Sequence, residues 1–186
     1  MPGRGLGTPD VPGMEAAMTV LVLIGPIATE PVELGRRVAS GREFTAFVDV
    51  AGLVRSLDGV RGIDAESRHF LGVDMATGIA DRLAADGVDV VIAEAGSYRR
   101  APAYRDGLVL LDKVTLMALT ADSGRLALRD FSRGPEMFSN LRAWRQWRAD
   151  LAEMVRSKPT FTDFDVILDC ADRSRADLVR LIAAAL

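Results

Sequence analysis

Two carboxylates, Asp49 and Glu94, stand at the ends of apolar runs that are typical of buried strands. Asp49 follows the residues AFV and Glu94 follows VVIA. In an open parallel sheet, ligands bind at the carboxyl ends of the strands. A carboxylate buried there needs a partner or a raised pKa. The pattern therefore predicts ligand-binding carboxylates, with one alternative for Asp49: that it caps a helix starting at Ala51.

Several arginines offer chemistry of the opposite charge. Arg129 and Arg133 lie in the segment RLALRDFSRGPE, which has the Gly and Pro of a loop and suits contact with an anion. Arg99, Arg100 and Arg105 flank the residues APAY and would line a substrate entrance. The alternative for all five is a solvated surface position. Within the protein, Arg99, Arg129 or Arg133 would pair with the strand-end carboxylates.

The residues GPIATEPV, numbers 25–32, form a strand–helix loop whose position suits phosphate binding. The phosphate-binding pattern is G-x-x-x-x-G-K-[ST], in which backbone N–H groups and the Lys hold phosphate and the hydroxyl holds magnesium. After the first glycine, Gly25, this chain has Glu30, Pro31 and Val32 at the three other defining positions. Pro has no N–H, Glu repels phosphate and Val cannot bind a metal ion. The loop therefore predicts a helix start, capped by Thr29, that binds no triphosphate.

Strands and helices alternate along the chain and would place these residues at one sheet edge. Strands are predicted at residues 19–25, 44–50, 88–95, 113–121 and 164–171, each followed by a helical segment. The longest helix is predicted over residues 64–87, with Phe70, Val73, Ile79 and Leu83 as its buried stripe. A second long amphipathic helix is predicted over residues 137–157. Its Trp144 and Trp147 would pack inward or anchor a partner.

Composition limits the remaining choices. The chain has 186 residues, a formal net charge of −3 and a pI near 5.3, which argues against a general nucleic-acid binder. No apolar run is long enough to span a membrane. A single cysteine, Cys170, and a lone His69 without ligand-spaced partners predict a reduced cytoplasmic protein with no metal site. We expect residues 1–17 to be a disordered extension and residues 18–186 to form one α/β domain.

From Thr19 to Leu186 the chain resembles the small-molecule kinase branch of the P-loop nucleoside triphosphatases, such as shikimate kinases, gluconate kinases and chloramphenicol phosphotransferase. The resemblance lies in the order of elements and in AFVDVAGLV, VVIAEAGSY and RLALRDFSRGPEMF. It implies a three-layer fold with a five-stranded parallel sheet of order 2-3-1-4-5. It also implies that Asp49 meets an acceptor hydroxyl, that Glu94 lies beside the loop and that Arg125, Arg129 and Arg133 belong to a lid.

Two functions follow from this resemblance and from the altered loop. The first is a degenerate kinase-fold protein that does not turn over ATP and binds a small molecule or a protein partner on the acceptor side of the cleft, without a cofactor. The second is an active phosphotransferase that uses ATP and Mg²⁺ on a small hydroxyl-bearing metabolite or antibiotic. Asp49 would then be the general base and the lid arginines would stabilise the transferred phosphoryl group. Homodimerisation is compatible with either function.

Overall fold

The computed structural model describes residues 18–109, 111, 113–121 and 158–186. Its strands are β1 Thr19–Gly25, β2 Thr45–Asp49, β3 Asp89–Ala95, β4 Lys113–Thr120 and β5 Val166–Asp169. Its helices are α1 Pro31–Ser40, α2 Val50–Ser56, α3 Ala65–Ala85, α4 Ala101–Gly107 and α5 Arg175–Ala183. Two 3₁₀ turns, Ile27–Thr29 and Tyr98–Arg100, precede α1 and α4. Within these described ranges, no helix has the length and apolarity needed to cross a bilayer.

The sheet has the predicted topology. Its five strands are all parallel and lie in the order β2-β3-β1-β4-β5. Parallel neighbours require crossover connections, and the helices that provide them cover both faces of the sheet. The strand that carries Asp49 therefore lies beside the strand that carries Glu94, and their carboxyl ends share one edge with the strand–helix loop.

Strand β1 divides the core in two, because its side chains alternate between the faces and none is exposed. Val20, Val22 and Ile24 join one apolar cluster, together with side chains of α3 and α4. Leu21 and Leu23 join the other cluster, which α1 and α5 cover. A central strand buried on both faces reads as a continuous apolar run, which is why TVLVLIG predicts it so clearly.

Helix α3 presents a different set of residues to the sheet from the predicted set. Val73 is buried and Leu83 is partly buried, as predicted, but Phe70 and Ile79 are 47% and 37% exposed. The small residues Ala76 and Ala80 face the sheet instead, and each is fully buried. The prediction of a buried stripe relies on large apolar residues. Close packing of α3 on the sheet instead requires small residues at the contact, such as these alanines. The predicted burial of Phe70 and Ile79 is therefore wrong.

Two buried tyrosines hold the segment after β3 against the sheet. The Tyr98 hydroxyl donates a hydrogen bond of 2.7 Å to the carbonyl oxygen of Leu119 on β4. Its ring meets Phe164 edge to face, with centroids 5.8 Å apart. Tyr104 on α4 is fully buried. Burial raises the pKa of both hydroxyls above the ordinary value, because an ionised phenolate would lose its hydration.

We expect Gly25→Ala to lower the free energy of unfolding by about 1–3 kcal/mol, the usual cost of overpacking. A Cβ at Gly25 would lie 2.5 Å from Thr29 Oγ1 and 2.7 Å from the Leu119 carbonyl oxygen. Gly59→Ala is the matched control, because a Cβ there meets no atom within 4 Å. Urea denaturation measures both variants. Equal midpoints for the two would contradict the packing described at Gly25.

We expect stability to fall as the pH rises above about 10, the ordinary pKa of tyrosine. The folded protein keeps Tyr98 and Tyr104 protonated, whereas the unfolded chain ionises them. Each buried tyrosine thus contributes stability that is fully present below this pH and is lost above it, by up to about 1.4 kcal/mol per pH unit. Urea denaturation between about pH 8 and 11 measures the slope. Tyr98→Phe should reduce the alkaline slope, and an unchanged slope would contradict this account.

Candidate functional site

Two backbone donors of the strand–helix loop make hydrogen bonds within the loop itself. The Thr29 N–H donates to the Pro26 carbonyl oxygen at 2.9 Å, and the Glu30 N–H donates to that of Ile27 at 3.0 Å. Pro26 and Pro31 have no N–H at all. A phosphate cradle depends on several N–H groups that converge on the ligand. Four residues of this loop therefore supply no N–H to a ligand.

The predicted cap of α1 is wrong. The Thr29 hydroxyl is buried and donates to the Pro26 carbonyl oxygen at 2.7 Å, within its own 3₁₀ turn. The residue at the cap position is Glu30, and its side chain makes no capping hydrogen bond. Its backbone is left-handed, with φ 57° and ψ 43°. A non-glycine residue in this region stores strain, on the order of 1 kcal/mol, which the surrounding contacts must offset.

The Glu30 carboxylate contacts Arg175, the first residue of α5. Its Oε2 accepts hydrogen bonds from Arg175 Nη2 at 2.7 Å and from Nε at 3.1 Å. The Glu30 side chain is 16% exposed and the Arg175 side chain is 49% exposed. Charge-assisted bonds of this kind are stronger than neutral ones. The ion pair joins the loop to α5 and places a carboxylate at the loop, where the phosphate-binding pattern has glycine.

Arg175 is a residue that the sequence analysis missed. It is 145 positions from Glu30 and has no motif around it. Its only signal is its place directly after Ser174, whose hydroxyl caps α5 by accepting from the N–H of Asp177. That signal predicts where α5 begins, but it does not indicate which residue the guanidinium of Arg175 contacts.

Glu94 belongs to a buried cluster. Only 2% of its side chain is exposed, and its two oxygens contact Arg100 and the Tyr104 hydroxyl, the latter at 2.7 Å. The negative charge of Glu94 adds to burial in raising the pKa of Tyr104. Gly96 leaves room for the cluster, because a Cβ there would lie 2.5 Å from Glu94 Oε1. The cluster therefore gives both oxygens of Glu94 a partner among the described residues.

Asp49 is held much more weakly. It is the last residue of β2 and the cap residue of α2, which begins at Val50, but its side chain makes no capping hydrogen bond. Its Oδ2 lies 3.3 Å from Arg55 Nη2, and the Arg55 side chain is 67% exposed. Its Oδ1 is buried and has no hydrogen-bond partner in the part of the chain that the structure describes. An unsatisfied buried carboxylate oxygen costs free energy unless a ligand or water completes it.

The other predicted site residues fall in different places. Val32 packs partly buried against the cluster beneath α1. Arg99 lies in the 3₁₀ turn before α4, and its backbone N–H contacts the Ser97 hydroxyl at 3.3 Å. Arg125, Arg129, Arg133, Trp144 and Trp147 lie outside the described residues, so their roles stay predictions. Among the residues with described positions, no group of three His, Cys, Asp or Glu side chains is arranged to hold a metal ion.

A surface groove of about 620 Å³ runs between α1 and α5. Arg36, Arg37 and Arg175 contribute to its lining, with no contribution from Asp49 or Glu94. Each guanidinium already has a contact: Arg37 with Glu33, Arg175 with Glu30, and Arg36 over the ring of Phe47. The groove is thus separate from the strand-end carboxylates.

Comparison with known proteins identifies the fold. No protein-family profile and no curated protein matches this sequence. Solved structures do match: a gluconokinase from Sinorhizobium meliloti 1021, with 18% identity and a TM-score of 0.59, covers 91% of each chain. The shikimate kinase from Bacteroides thetaiotaomicron has 15% identity and a TM-score of 0.58, with coverage of 90% of this chain and 96% of that one.

A third match is the APS kinase CysC of Mycobacterium tuberculosis, in a structure described as a complex with AMPPNP and APS. It has 15% identity and a TM-score of 0.64, and the alignment covers 91% of this chain and 97% of that one. All three neighbours are kinases of small molecules. The resemblance inferred from the sequence is confirmed: this chain has the fold of the P-loop small-molecule kinases.

Proposed function

We propose that this kinase-fold protein does not turn over ATP and binds a small hydroxyl-bearing or cationic molecule at the acceptor edge of its sheet, beside Asp49. The observation that carries the proposal is the state of the strand–helix loop. Four of its residues have no N–H to offer, and Glu30 pairs with Arg175 at a position where a nucleotide phosphate would need positive charge that no carboxylate neutralises.

The contrast between the two strand-end carboxylates supports the choice of Asp49. Both oxygens of Glu94 have partners inside the protein, whereas Asp49 Oδ1 has none among the described residues. A hydroxyl or ammonium group would supply the hydrogen bond that this oxygen lacks. The position also agrees with the general rule that ligands of open α/β sheets bind outside the carboxyl ends of the strands.

One observation favours the alternative, an active phosphotransferase. The pattern's Lys is missing, but Arg175 brings a guanidinium to the same loop. A nucleotide that displaced the Glu30 carboxylate would find this cation in place. The pairing of Arg175 with Glu30 and the four loop residues that offer no N–H make the alternative the weaker one.

Titration with ATP and Mg²⁺ separates the two functions. We expect no saturable heat at submillimolar nucleotide in calorimetry, because displacing Glu30 breaks its ion pair and gains few N–H bonds. GTP should behave in the same way. A micromolar affinity that Arg175→Ala removes would overturn the proposal and favour the phosphotransferase.

The matched variants Asp49→Asn and Glu94→Gln test the assignment of the ligand site. We expect Glu94→Gln to lower the free energy of unfolding by about 3–5 kcal/mol, because it leaves Arg100 without its buried partner. Asp49→Asn should change it by less than about 0.5 kcal/mol, as usual for weakly held positions. Urea denaturation measures both effects.

The same pair of variants then serves in a thermal-shift screen of polyols, amino sugars and small amines. At least one compound should stabilise the parent protein and fail to stabilise Asp49→Asn. If every compound that stabilises the parent also stabilises this variant by the same amount, Asp49 is not the ligand contact and the proposed site is wrong.

A further inference from the structure

Helix α3 carries a second apolar stripe on the face that points away from the sheet. Its inward face is formed by Val73, Ala76 and Ala80, all buried. On the outward face, Leu71 and Met75 are 39% and 37% exposed, and Ile79 beside them is 37% exposed. A helix that is apolar on opposite faces is expected to be covered on both.

The spacing of the outward residues is that of a helix–helix seam. Leu71, Met75, Gly78, Arg82 and Ala85 follow one another at intervals of four, three, four and three, and all five are exposed. This alternation is the a/d spacing of paired helices, in which knobs of one helix enter holes of the other. It places the five residues in one line along the helix.

Gly78 is the residue in this line that packing among the described residues does not explain. Gly72, also in α3, has a clear role, because a Cβ there would lie 2.5 Å from Val54 Cγ2 of α2. A Cβ at Gly78 would meet no atom of the described residues within 4 Å. Glycine in the middle of an exposed helix lowers helix stability relative to alanine. In the seam, however, a glycine is favourable, because the missing side chain allows a second helix to approach closely.

From this juxtaposition we propose that the protein forms a homodimer in which the outward faces of two α3 helices pack antiparallel about a two-fold axis. In the a/d register of antiparallel helices, Met75 of each copy lies opposite Gly78 of the second copy. A large flexible side chain thus fills the space that the glycine leaves. The same register places Leu71 against the aliphatic stem of Arg82 of the second copy.

Charge favours a second copy as the occupant. Arg82 is a residue of the seam and Asp74 is exposed beside it, and Arg82 contacts Asp86 at 3.3 Å in its own helix. In the antiparallel register, Arg82 lies within about one helical turn of Asp74 of the second copy. The two-fold axis forms this contact twice, as an isologous interface requires. The surface is therefore complementary to itself in shape and in charge.

Sedimentation velocity of the full chain over a range of concentrations tests the proposal. We expect a dimer of twice the 20.0 kDa chain mass. Met75→Glu should weaken the dimer at least about 30-fold, as expected for a central interface residue. Phe161→Glu is the matched control, since Phe161 is apolar and 78% exposed but lies outside α3, and it should leave the dimer unchanged.

Gly78→Gln distinguishes an interface from a structural role. In an isolated chain this change favours the helix, so the melting temperature of the dissociated protein should rise or stay level. In the dimer the added side chain blocks close approach, so the dissociation constant should rise. A protein that is monomeric at every concentration overturns the proposal. So does a dimer that both Met75→Glu and Gly78→Gln leave intact.

Discussion

The complete burial of β1 is the constraint on which the rest of the structure depends. A strand with no exposed side chain must have a partner strand on each edge and a layer of helices on each face. β3 and β4 provide the edges, and α1 with α5 covers one face while α3 with α4 covers the other. The neighbouring strands and the helical layers therefore fix the position of Gly25, where the chain leaves β1, without any contribution from a ligand.

The charges at the carboxyl edge differ in how firmly the protein holds them. Glu94 is enclosed by Arg100 and Tyr104 in a cluster that the packing of α4 maintains. Glu30 contacts a half-exposed arginine, and Asp49 contacts an arginine that is mostly exposed. Of the three carboxylates, Asp49 at the end of β2 is the most weakly held. Because strong internal pairing leaves no hydrogen-bonding capacity for a ligand, this difference supports Asp49 as the proposed binding position.

Sequence reasoning recovered what depends on local periodicity. The apolar runs gave all five strands, and their alternation with helices supported the parallel sheet, although the strand order came from the resemblance to kinases. It failed for features that depend on packing between residues far apart in sequence. Two of the four residues in the predicted buried stripe of α3, Phe70 and Ile79, are wrong, because residue size alone does not tell which face of a helix meets a sheet. The partners of Glu30 and Glu94 were missed for the same reason, since arginines are common and only the fold shows which ones reach a carboxylate.

The left-handed backbone at Glu30 separates the shape of the loop from its chemistry. The conformation is one that glycine adopts without strain, and glycine is what the phosphate-binding pattern has at this position. The main chain at the start of the loop is closely packed, because a Cβ at Gly25 would lie 2.5 Å from Thr29 Oγ1 and 2.7 Å from the Leu119 carbonyl oxygen. Replacing Glu30 by glycine would exchange an ion pair for relief of strain, two effects of similar size. The shape of this loop is therefore set by its packing, whereas its capacity to bind phosphate depends on which residues occupy it.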